Sequence, residues 1–189
     1  TTAVNDAPVF EGSTTLMVNE GSIGNSIVSI LHVGDVDIGQ TLTWTEETAP
    51  SHGTLSFTDA AASTGGMDIA CGGEITYTPT AGYYGSDSFT VRISDGSDSF
   101  TQTITVTVNP AYTVSYNSNG GSGSMDSGTA AYITSFTLPS NGFTAPSGKQ
   151  FKCWAIGSAD SSTTVSAGGG YVFTADTTVY AVWEDIPDG

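Results

Sequence analysis

Two runs decide the fold: Phe89-Thr90-Val91-Arg92-Ile93-Ser94 and Phe100-Thr101-Gln102-Thr103-Ile104-Thr105-Val106-Thr107-Val108, joined through Ser94-Asp95-Gly96-Ser97-Asp98. Apolar and polar residues alternate in both. Successive side chains of a strand point to opposite faces, so this alternation buries one face and leaves the other, rich in threonine, to water. The Asp-Gly pair between them is a hairpin signal, because glycine supplies the positive φ of a tight turn. Working outward, further strands are expected near 14–18, 26–32, 40–45, 53–58 and 74–78. Seven short strands without a helical period predict an all-β, antiparallel, seven-stranded Greek-key sandwich. Trp44, Phe57, Tyr77, Phe89 and Phe100 are its expected aromatic core. The stretch 59–73 (DAAASTGGMDIACGG) reads as a mobile surface loop.

Proline and asparagine mark the joints. Asn5-Asp6-Ala7-Pro8 opens this module and Val108-Asn109-Pro110 closes it, giving a first domain over 1–109. Residues 110–189 change texture. Tyr112, Val114 and Tyr116 alternate, Asn117-Ser118-Asn119-Gly120-Gly121-Ser122-Gly123 breaks the pattern, a Pro/Gly-rich middle follows, and two short strands, Phe151–Ile156 and Thr178–Trp183, finish it. This is a second, smaller β-rich module.

The chain has 189 residues with three basic and 19 acidic side chains, a net charge of −16. That balance argues strongly against nucleic acid as a partner, since phosphate binding runs on clustered Lys and Arg. It also disfavours an anionic membrane surface, and no apolar run reaches the ~20 residues of a membrane span. Thirteen acids face Arg92 alone in residues 1–109, whereas six face Lys149 and Lys152 beyond. Few charges, few lysines and much Ser, Thr and Gly fit a secreted or cell-surface β-protein. No signal-peptide pattern opens the chain, so it reads as a mature segment or an excised piece. Cys71 and Cys153 read as two unpaired thiols, because a bridge needs Cα atoms within about 7 Å.

The first module resembles the bacterial cadherin-like or Ig-like tandem repeats of surface adhesins. The resemblance is carried by Asn5-Asp6-Ala7-Pro8-Val9, Val18-Asn19-Glu20-Gly21, Asp35-Val36-Asp37-Ile38-Gly39-Gln40-Thr41-Leu42, Ser51-His52-Gly53-Thr54-Leu55, Ile75-Thr76-Tyr77-Thr78-Pro79, Tyr84-Gly85-Ser86-Asp87-Ser88-Phe89 and Ser94-Asp95-Gly96. The second is similar to the Listeria–Bacteroides, or internalin B-type, repeat. It shares Tyr112-Thr113-Val114-Ser115-Tyr116-Asn117-Ser118-Asn119-Gly120-Gly121, Phe151-Lys152-Cys153-Trp154 and Asp176-Thr177-Thr178-Val179-Tyr180-Ala181-Val182-Trp183, over 112–183. That resemblance implies a small β-grasp-like fold without catalysis, and Cys153 stands where the family usually has Gly.

Calcium is the sharpest site expectation. Ca²⁺ takes six to eight oxygen ligands, and Asp35-Val36-Asp37 directs two carboxylates to one side of an extended segment. The resemblance implies that Asp35 and Asp37 share the N-terminal pole with Asp6 and Asp95, and that Glu20 marks a weaker, incomplete site at the opposite pole. Other chemistry is not indicated. His32 reads as a strand residue and His52 as a turn residue, neither with a nucleophile motif, and Cys/His spacing for zinc is absent. Glu46-Glu47 reads as a solvated strand end. The first module has no lysine for an isopeptide bond, and Lys149 and Lys152 are expected in solvent. Tyr83, Tyr84 and Trp154 could stack on sugars, with core packing the simpler role. The expected function is a non-catalytic spacer, stalk or adhesion segment among neighbouring repeats of a longer chain, with a protein or glycan receptor. The alternative is a carbohydrate-binding accessory module of a secreted enzyme.

Overall fold

The alternating runs form the longest hairpin of the molecule. The computed structural model describes residues 4–188, and the chain divides into two compact units, Thr1–Pro110 and Ala111–Gly189. The first holds β1 (Val9–Phe10), β2 (Thr15–Asn19), β3 (Asn25–Ser26), β4 (His32–Asp35), β5 (Thr41–Thr48), β6 (Gly53–Thr58), β7 (Ala61–Ser63), β8 (Gly66–Ala70), β9 (Glu74–Pro79), β10 (Gly85–Ser94) and β11 (Ser99–Asn109). One sheet runs β2-β11-β10-β5-β7, and the facing layer is made of β1-β4-β8 and β3-β9-β6. The β10–β11 hairpin keeps register from Gly85 opposite Val108 to Ser94 opposite Ser99. Its inward residues Phe89, Val91, Ile93, Ile104, Val106 and Val108 are buried with Ile27, Leu31, Leu42, Trp44, Ile75 and Tyr77. Fully burying one such side chain is worth about 1.5–3 kcal/mol, so this cluster drives closure of the two layers.

Three local expectations are corrected. Phe100 is 40% exposed, because the buried face of β11 begins only beyond Gln102. The segment expected as a strand over 26–32 is β3, a 3₁₀ turn at Val28–Ile30, and the start of β4. The stretch expected as a mobile loop over 59–73 is a strand pair that passes between the sheets: β7 pairs with β5, and β8 with β4. Left-handed backbone occurs at Asp59 and Gly73 in its turns and at Asp68 within β8. A Cβ at Gly73 would lie 2.2 Å from the Thr58 carbonyl oxygen, so only glycine fits there. One pairing is not antiparallel: β2 runs parallel to β11, Thr15 opposite Thr105.

The second unit holds β12 (Ala111–Asn117), β13 (Gly128–Ala131), β14 (Ser135–Thr137), β15 (Lys149–Ile156), β16 (Thr164–Val165), β17 (Gly170–Val172) and β18 (Thr177–Asp185). A five-stranded sheet, β13-β12-β18-β15-β16, is accompanied by the β14–β17 ribbon. No helix occurs among the described residues of this unit, so strands and loops do the covering. Trp154 is fully buried, with Tyr116, Phe143 and Phe151 rings around it, and its indole N–H donates to the Pro139 carbonyl at 2.9 Å. Of the two roles weighed for Trp154, core packing is the one the structure shows. Here too the first and last strands, β12 and β18, are parallel neighbours.

Candidate functional site

Three segments meet at one end of the first unit: the entry stretch Asn5-Asp6, the Asp35–Gln40 loop after β4, and the Asp95–Asp98 turn of the β10–β11 hairpin. The Asn5 side-chain amide donates to Asp95 Oδ2 at 2.9 Å and to Asp98 Oδ2 at 2.7 Å, while its Oδ1 accepts from Gln40 Nε2 at 2.7 Å. The Asp6 backbone N–H donates to Asp37 Oδ2 at 2.7 Å, and the Asp37 N–H to Asp35 Oδ1 at 3.0 Å. Asp35, Asp37, Asp95 and Asp6 are thus brought together, although Asp6 takes part through its backbone and its side chain is exposed.

Two carboxylates are treated differently by their surroundings. Asp95 accepts N–H groups from Ser97 at 2.8 Å and Asp98 at 2.7 Å, the geometry of an aspartate closing its own turn. Burial works to raise its pKa, yet the N–H groups of Asp98 and Ser97 and the Asn5 amide prevail, and its carboxyl lies below the ordinary aspartate value. Asp35 is only 3% exposed, and its Oδ2 has no hydrogen-bond partner. Burial raises its carboxyl above the ordinary value. The Asp37, Asp95 and Asp6 charges push the same way, against the pull of the Asp37 N–H. An orphaned, buried carboxylate oxygen facing other acids fits a cation, because such an atom otherwise carries its desolvation cost uncompensated. The donor set is hard oxygen, which suits Ca²⁺. In the conformation described, the carboxylates turn towards amide donors, and among the described residues no three His, Cys, Asp or Glu side chains converge at metal-holding spacing.

Glu20 follows β2, and its N–H donates to the Asn109 carbonyl at the far end of β11. That is roughly 33 Å of strand from Asp95. The acids that sequence reasoning missed at the near pole are Asp98 and Glu11. Asp98 lay within the quoted hairpin turn, and its spacing from Asp95 was the available signal.

The remaining residues of interest resolve into structure. His32 Nδ1 sits 2.5 Å from Asp68 Oδ1, tying β4 to β8. His52 stacks on Tyr83 with centroids 3.9 Å apart. Glu46 and Glu47 are exposed, and Lys149 and Lys152 pair with Asp185 and Glu184 on β18. Tyr84 is 60% exposed. Cys71 and Cys153 are free thiols.

A two-layer sandwich entered through a short asparagine–aspartate segment tied into its own acidic pole is the architecture of a β-sandwich repeat module. The family profile described as bacterial cadherin-like domain matches residues 5–110, and the one described as Listeria-Bacteroides repeat domain matches residues 112–182. The chain belongs to the bacterial cadherin-like domain family, with the second repeat following it. Both families are repeat modules, not catalytic domains, of a kind typical of extracellular bacterial proteins. No protein of curated function matches the chain. No helix among the described residues is long and apolar enough to cross a membrane.

Proposed function

We propose that this chain is a non-catalytic spacer or stalk segment of a longer bacterial or archaeal surface or secreted protein, carrying an adhesive part and bearing tension along its length. The observation that carries this is shared by both units: the first long strand and the last strand of each are parallel neighbours, β2 with β11 and β12 with β18. A pull on the two ends of a unit then loads a whole row of interstrand hydrogen bonds at once instead of opening them singly. Single-molecule stretching of the chain between tandem marker domains tests this. Two resistant unfolding events, one per unit, are expected. Extension of either unit without a force peak would defeat the reading.

Calcium at the N-terminal pole is the finer part of the proposal. Asp35, Asp37 and Asp95, with the Asn5 side-chain oxygen and Asp98, would hold the ion, and the orphaned Asp35 Oδ2 supports the assignment. The ion would cross-link the entry segment to two loops and stiffen the joint with whatever precedes it. A matching set at the Glu20 pole forms no part of the proposal.

A further inference from the structure

We propose that the cleft between β1, the end of β4 and β8 is a receptor for a lysine or arginine side chain of a partner protein. The cleft has a volume of about 400 Å³ and combines apolar walls, Val9, Val36 and Met67, with the carboxylates of Glu11 and Asp35. This goes beyond the spacer role; Asp35 belongs both to this cleft and to the proposed calcium pole, so the binding test is run without calcium.

Val9, Val36 and Met67 are exposed, Met67 by 79%, around a single concavity. The Glu11 carboxylate lies over Gly34 of β4, where a Cβ would stand 2.6 Å from its Oε1. Its other oxygen, Oε2, accepts the Asp68 N–H at 2.6 Å, which fixes the carboxylate beside the cleft. Asp35 lines the same cleft and is itself only 3% exposed, so its negative charge lies behind the wall. Among the described residues, the unit brings no lysine or arginine side chain to these carboxylates. It contains no lysine, and its one arginine, Arg92 on β10, forms no ion pair among the described residues.

The apolar walls choose the occupant. A bare metal ion would answer the carboxylates and leave Val9, Val36 and Met67 in water. A neutral apolar side chain would do the reverse. Lysine and arginine carry an aliphatic stem under a cationic head, so one side chain covers the walls and meets the acids. Arginine in particular recurs as an anchor at protein interfaces.

The test is titration of Nα-acetyl-lysine methylamide and its arginine counterpart into the whole chain in chelator, following the methyl resonances of Val9, Val36 and Met67 by NMR. Saturable shifts with a dissociation constant of about 1–10 mM are expected. The neutral norleucine analogue should bind at least about tenfold more weakly, since it lacks the charge-assisted contacts. Glu11→Gln and Met67→Ser, both at exposed positions, should each weaken lysine binding by about threefold or more. No saturable shift below about 50 mM would overturn the proposal. So would norleucine binding as well as lysine, or lysine binding that ignores both substitutions. Because chelator is present throughout, a protein that fails to bind calcium still gives a readable result here.

Discussion

Asp35 accepts the backbone N–H of Asp37 through Oδ1 at 3.0 Å while its own Oδ2, buried in the same pole, meets no donor. Half of one carboxylate organises the loop, and the other half is held out of water with nothing to satisfy it. A carboxylate held this way is destabilised as an anion, which favours its protonated form and is the ground for the proposed calcium ligand.

Calcium should raise the stability of the first unit. A ligand that binds only the folded state adds about 2.7 kcal/mol at a hundredfold excess over its dissociation constant. The melting temperature in millimolar calcium should exceed that in chelator by several degrees, and Asp37→Asn should reduce the difference. An unchanged transition would remove calcium from the proposal.

The pole should also show two opposed acid responses. Asp35 has its carboxyl raised, so its contribution to stability is present in full below the ordinary aspartate value of 3.8 and is lost as pH climbs through its folded-state value. Asp95 is lowered, so its contribution holds above 3.8 and is lost as pH falls through its folded-state value. In chelator at neutral pH, Asp35→Asn should therefore melt above the parent, with the gap closing on acidification. Asp95→Asn should melt below it. Melting curves between neutral pH and about pH 3 check both signs, and a gap for Asp35→Asn that does not vary with pH would contradict the assignment.

At the other end of the sandwich, Asp87 is buried and well supplied. It accepts the Tyr77 hydroxyl at 2.6 Å and the N–H groups of Ser51 at 3.1 Å, His52 at 3.3 Å and Ser88 at 2.9 Å. Gly53 lets the Tyr77 ring come this close, since a Cβ there would stand 2.6 Å from the ring. Tyr77→Phe should cost about 1.5–3 kcal/mol, the range for a hydrogen bond to a charged group. Gly53→Ala should cost a comparable amount by moving the ring. Urea denaturation measures both, and a neutral Tyr77→Phe would show the bond to be dispensable.

Cys71 should be inert in the native protein. Burial pushes its thiol up to about 11, with the Glu74 charge adding to the effect, so very little thiolate exists near neutrality. Iodoacetamide at about pH 8 should leave Cys71 unmodified until denaturant is added, as peptide mass mapping would report. Prompt native-state alkylation would contradict its burial.

Alternation made most of the sandwich legible, because a strand with one buried face must place its apolar residues at every second position. The same rule misread Phe100, which continues the alternation past the point where the opposite layer covers β11. It also missed β7 and β8. Their Ala and Gly residues carry no apolar period, and what holds them extended is pairing to β5 and β4, which no local signal reveals. Likewise, the parallel partnership of β2 and β11 depends on how the chain closes on itself. At the pole, the Asp-x-Asp spacing singled out Asp35 and Asp37, and the structure links Asp37 to Asp35 and to the Asp6 backbone. The amide bridge from Asn5 and the orphaned oxygen of Asp35 depend on loop geometry and could only be seen in three dimensions. Trp154 was visible as an aromatic, but its burial follows from the rings that three separate segments bring around it.

The parallel end-strand pairs also govern when each unit can form during synthesis. Thr15 waits for Thr105, and Tyr116 for Val179, so neither sheet can be completed until nearly its whole unit has emerged. Contacts this distant in sequence are slow to close. A nascent chain built this way completes its long sheet only when the last strand of each unit has been made, and so reaches its finished form one unit at a time.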